Sequence, residues 1–111
     1  MLIHKPVSLN DIVSVKLTNG DEVIGKFVEH GSLTVTIRQP VIVAIQPVGP
    51  QQVSLGFMPF LVSTNDDTQV AFPISALLTM PMPTKPDVAN SYRRATGSLE
   101  VATPKGLILP G

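Results

Sequence analysis

Tyr92-Arg93-Arg94 sets an aromatic ring beside two guanidinium groups, the residue types that stack on a nucleic-acid base and hold a phosphate. Lys16, Lys26 and Arg38 fall on the polar parity of alternating apolar segments, so their cations project away from the apolar side. Repeated around a ring of copies, they would form a positive band that the net charge of one chain conceals. The plainer alternative is a helix that packs Tyr92 on its neighbour and leaves both arginines in water.

For catalysis the inventory is thin. His4 and His30 have no carboxylate at a suggestive spacing, and turn or terminal histidines are far more often plain surface residues. Asp66-Asp67 offers two hard oxygen donors, yet a two-acid loop is usually only solvated. No catalytic residue, metal ligand or cofactor is expected.

Composition narrows the partners. Eight basic and eight acidic residues cancel, so any attraction to nucleic acid must come from a local patch. Only 14% of the 111 residues are charged while 43% are hydrophobic, which implies apolar surface buried against other subunits. A neutral surface of Thr, Ser, Gln and Pro is the competing explanation. With no cysteine, disulfides and Cys-ligated metals are excluded, and a cytoplasmic setting fits. Residues 1–6 have no long apolar run after a basic start, so they are not a secretory signal. The most apolar run, residues 40–48, is too short and Pro-punctuated to span a bilayer.

The elements that must position these groups are strands. Val13, Val15 and Leu17 alternate with Ser14, Lys16 and Thr18, predicting a half-buried strand over residues 11–18. A capped turn at residues 8–11 suits the chain ahead of it. Asn19-Gly20 supplies the positive φ angles of a tight hairpin, and a second strand follows over residues 22–29. Gly25 in mid-strand marks a sharp bend or a close backbone approach. After a turn at residues 30–32, the third segment is buried on one face through Val35 and Ile37. It is then buried on both, with Val41 and Val43 on one parity and Ile42 and Ala44 on the other. A fourth strand over residues 51–63 changes parity near Gly56 and Pro59, where a bulge would keep both halves inward. A fifth, residues 70–78, carries Pro73 and so belongs at an edge. Residues 81–86 break the sheet region from a short helix over 87–95, with Val88 and Tyr92 on one face. A strand at residues 99–101 and a docked or loose arm end the chain.

The pattern Val13-x-Val15-x-Leu17-x-Asn19-Gly20-x-Glu22-x-x-Gly25-x-Phe27 resembles the first motif of the Sm and LSm proteins, including bacterial Hfq. The overall layout is similar to Sm-like small proteins of marine cyanophages. The resemblance implies an all-β fold: a small, strongly bent five-stranded Sm-like (SH3-like) barrel, with a short C-terminal helix. It also implies a homo-oligomeric ring of about five to seven copies, single-stranded RNA or DNA as ligand, and the host cytoplasm as setting. The family usually carries an aspartate and an asparagine around the second turn. Here that turn reads His30-Gly31-Ser32-Leu33-Thr34, with Thr34 near the asparagine position. The family's Arg-Gly near the last turn is absent. In its place stand Asn65-Asp66-Asp67-Thr68, whose two carboxylates would repel phosphate.

The expected organisation is one domain, residues 1–80 forming the barrel and 81–111 the helix and arm. The expected function is non-catalytic binding of nucleic acid by a ring, through Lys26, His30, Ser32, Thr34, Arg38, Asn65, Tyr92, Arg93 and Arg94. Ile42, Ala44, Phe60 and Phe72 would form the subunit interface. The rival is a structural or protein-interaction module of a phage; neither reading involves a membrane.

Overall fold

The computed structural model describes residues 7–65 and 67–97. His4, Asp66, the expected strand at residues 99–101 and the arm lie outside the described residues. The chain is mostly β, with strands β1 (Ile12–Lys16), β2 (Glu22–His30), β3 (Thr34–Gly49), β4 (Gln52–Pro59), β5 (Gln69–Pro73) and β6 (Met82–Pro83). One short helix, α1 (Pro86–Ala95), follows them. All pairings are antiparallel, in the order β4-β3-β2-β1-β6, with β5 added on β3. The sheet thus has six strands, one more than expected, because Met82 and Pro83 pair with Ser14 and Val13.

The first hairpin turns differently from the tight two-residue form. Gly20 N–H donates to Leu17 O at 2.9 Å and Leu17 N–H donates to Asp21 O at 2.8 Å. Of Asn19-Gly20, only Gly20 takes a positive φ, at 97°. The connection is therefore three residues closed by a left-handed glycine. Asn19 instead braces the turn, its Oδ1 accepting the Asp21 N–H at 2.9 Å.

Gly25 meets the close approach its position foretells. A Cβ there would overlap Ile37 Cγ2 and lie 3.0 Å from Arg38 O and 3.2 Å from Pro40 Cα. Opposite it, β3 takes an extra residue. The two steps from Ile24 to Lys26 are matched by three from Val41 back to Arg38, and Gln39 sits at φ 58°. This bulge flips the parity of β3. Val35 and Ile37 face one core with Val13, Val15, Leu17, Val23, Phe27, Phe72 and Leu77, whereas Val41 faces a second core with Ile12, Ile24, Ala89 and Tyr92. It also divides the outer edge of β3, which pairs β5 through Arg38 and β4 from Val41 onward.

Several boundaries move. No bulge interrupts β4 near Gly56; its register against β3 is unbroken from Pro59 to Val53, and the strand ends at Pro59. Phe60, released from the ladder, bonds through its N–H to Pro40 O at 2.9 Å. The fifth strand stops at Pro73 because a 3₁₀ turn over Ile74–Ala76 follows. From there the chain runs back along β1: Thr18 N–H donates to Ala76 O, Leu78 N–H to Lys16 O and Thr84 N–H to Ile12 O. Two-sided burial of β3 reaches only Ala44, and Ile45 is 64% exposed.

Replacing Gly25 with Val should destabilise the fold by about 3 kcal/mol, since neither Ile37 nor the bulge backbone can yield without repacking. Denaturant melting measures this; an unchanged midpoint would contradict the close approach.

Candidate nucleic-acid interface

Lys26 on β2 and Arg38 on β3 are direct cross-strand partners. Their neighbours Phe27 and Ile37 point into the first core, which turns both cations to the opposite, outer face. Helix α1 packs on that same face. Pro86 opens its first turn, where Asp87 Oδ1 accepts the Val88 N–H at 2.9 Å. Ala89 and Tyr92, three apart, form the stripe buried against Ile12, Ile24 and Val41. Arg93 follows directly, within electrostatic range of Lys26.

Gln39 ties the elements together. Its carbonyl, exposed by the bulge, accepts the Tyr92 hydroxyl at 2.7 Å, and its side-chain Oε1 accepts Lys26 Nζ at 3.0 Å. Its N–H donates to Thr68 O at 2.9 Å. Arg38 donates to Asn10 Oδ1 at 3.2 Å, Arg93 to Asn90 Oδ1 at 3.0 Å and Arg94 to Ser91 Oγ at 3.4 Å. Every one of these acceptors is neutral, and among the described residues none of the four cations has a carboxylate partner. Partial burial, with the positive charges of Arg38 and Arg93, lowers the Lys26 pKa from its usual 10.5. Such a surface favours an incoming anion.

Tyr92 does not serve as the stacking platform expected of it. Its side chain is 0% exposed and its hydroxyl is spent on Gln39, so it offers no ring face to a base. Phe72 likewise belongs to this chain's own core, at 4% exposed, with the Phe60 ring 5.0 Å away. Ile42 packs against the same core, and Ala44, half-buried, pairs with Gly56.

The remaining candidates lie elsewhere. His30 and Ser32 are exposed and Thr34 half-buried in the second turn, which Gly31 N–H closes on Thr34 O at 2.8 Å. His30 stands four residues along β2 from Lys26, roughly 13 Å at strand rise. What adjoins that turn is not Asn65 but Pro73 and Ile74: Thr34 pairs with Pro73, and Ile74 N–H donates to Leu33 O at 2.9 Å. Asn65 is exposed and its carbonyl accepts the Thr68 N–H at 3.2 Å, while Thr68 O accepts the Gln39 N–H. Lys16 pairs with Glu22 at the far end of β1.

Sequence reasoning passed over Gln39 and Asn10. The one available signal was an asparagine, tolerant of the φ of 72° that Asn10 adopts; Pro40 biases the residue before it toward extended backbone, so nothing local announced Gln39 at φ 58°. It also passed over a charge-free stretch: residues 39–65 hold no ionisable side chain, and Val53 and Val62 there are 64% and 79% exposed. Among the described residues, no three of His, Cys, Asp and Glu gather to hold a metal. No protein-family model and no curated protein matches the chain.

Tyr92 is the chain's only tyrosine, and burial raises its pKa above the ordinary 10.0, a smaller opposing effect of Arg38 notwithstanding. The folded state therefore keeps a proton that the unfolded state sheds. Its contribution to stability is intact below pH 10 and is lost as pH rises beyond it. Phenolate absorbance should appear only with alkaline unfolding, and Tyr92→Phe should cost about 1 kcal/mol at neutral pH. Ionisation at the ordinary midpoint in the folded protein would contradict the burial.

Proposed function

We propose that this chain is a non-catalytic, ring-forming protein of Sm-like architecture that holds single-stranded nucleic acid, RNA foremost, by its phosphates. The contact surface is the outer face formed by Lys26, Arg38 and Arg93, with Arg94 beside it. One observation carries this reading: cations from three separate elements converge with only neutral partners among the described residues. Charges held together without counter-ions raise the local potential and draw a polyanion. With Tyr92 buried, the contacts are to backbone rather than bases, which position a strand without reading its sequence.

Support for a bent barrel comes from the course of the pairings. β1, β2, β3 and β5 follow in order, and the chain after β5 returns along β1 through Leu17 and Leu77 to β6. Support for a ring comes from edges. β4 ends the sheet on one side and β5 pairs only with β3, so each has an outer edge to offer a neighbouring copy. Residues 39–65 place no charge on the first of these edges to discourage pairing. A ring repeats the cationic face, and weak phosphate contacts then add by avidity. The exposed apolar side chains of Ile45, Val48 and Val53 favour a second reading, a docking module for another protein.

Fluorescence anisotropy with a labelled single-stranded RNA should give binding that weakens steeply with salt. Replacing Lys26 and Arg38 with Ala should flatten that slope by about two ions' worth. Absence of binding at low salt would leave the docking module standing.

Light scattering should return a closed assembly of about five to seven chains. Val53→Asp, on exposed β4, should shift it toward smaller species, because a charge on a strand edge discourages pairing with a neighbour. A single-chain mass for the wild type would sink the ring.

A further inference from the structure

We infer that Lys26, Arg38 and Arg93 form an oxyanion site that one phosphate group fills, and that filling it clamps α1 onto the sheet. The inference rests on reading this face as a phosphate surface, and adds that the ligand governs how firmly the helix is docked. The helix is held by Ala89 and Tyr92 against Ile12, Ile24 and Val41, and by the Tyr92 hydroxyl on Gln39 O. Working against that hold is a charge arrangement that docking itself creates: Tyr92 and Lys26 both bond Gln39, so docking carries Arg93, the residue after Tyr92, toward the Lys26–Arg38 pair on the sheet.

The neutral oxygens of Gln39, Asn10 and Asn90 orient the three cations without cancelling their charge. A tetrahedral oxyanion has acceptor oxygens enough for an ammonium and two guanidinium groups at once. Bound there, it converts repulsion between helix and sheet into a bridge spanning both. Anything that binds the docked state alone stabilises it by mass action. A backbone phosphate of a nucleic acid and free inorganic phosphate share this chemistry.

The test is thermal melting of the full chain by circular dichroism, in inorganic phosphate against sodium chloride at equal ionic strength. Phosphate should raise the wild-type melting temperature with the logarithm of its concentration, by about 4 °C once it exceeds its dissociation constant several-fold. Arg93 is exposed, so Arg93→Gln should fold normally and show no such rise. Arg93→Glu should melt higher than wild type without phosphate and ignore added phosphate, an effect that a merely structural arginine would not produce. A wild-type response no larger than that to chloride, or an Arg93→Gln response equal to wild type, overturns the site. An oligonucleotide that fails to bind, while the Arg93-dependent phosphate shift persists, removes the nucleic-acid reading and keeps the oxyanion site. An oligonucleotide that binds where phosphate gives no shift removes the site alone.

Discussion

Gly25 has no side chain, and β3 occupies the space that one would fill. Arg38 O and Pro40 Cα lie within about a van der Waals contact of where its Cβ would be, and Ile37 lies closer still. The close approach lets β3 bulge at Gln39 while staying paired to β2 on both sides of the bulge. From that one irregularity the rest of the architecture follows. The parity flip sends Val41 to the helix side and Ile42 to the first core. The divided edge lets β5 and β4 share one strand. The bulge also turns the Gln39 carbonyl out of the ladder, where the Tyr92 hydroxyl finds it. Leaving that part-buried carbonyl without a partner would cost about 1 kcal/mol, so the tyrosine and the bulge stabilise each other.

The same bulge arranges the chemistry. Lys26 and Arg38 flank it as cross-strand partners, Gln39 orients Lys26, and the helix anchored on Gln39 brings Arg93 to them. A tyrosine that builds the site by packing cannot also stack on a base, and the two roles are separated by which side of the ring is free. Here neither is. Under the proposed function, what remains is a surface of cations suited to a flexible polyanion engaged by several copies at once.

Much of this was legible in the residues. The alternation at Val13, Val15 and Leu17, the glycine at position 25 and the helix after Pro86 all follow local rules that tertiary context did not override. Lys26 and Arg38 were placed on one polar face because strand parity alone decides it. What escaped was the consequence of Gln39. A bulge costs one residue of register, and no single side chain announces it, so the faces of the second half of β3 and the partner of Tyr92 could not be assigned. Phe72 looked like an interface residue for a related reason: apolar residues near an edge read alike whether the aromatic ring of Phe60 or a neighbouring chain covers them. The two-residue β6 was illegible because Pro81 and Pro83 mask a strand that makes only two pairings.

The central claim is that nucleic acid meets the outer face built on β2, β3 and α1. Nuclear magnetic resonance of the assembled protein, titrated with single-stranded RNA and read at the side-chain nitrogens, addresses it directly. The account predicts that the signals of Lys26, Arg38 and Arg93 move together and saturate together. Shifts confined to the turn holding His30, Ser32 and Thr34, with those three cations unmoved, would contradict it.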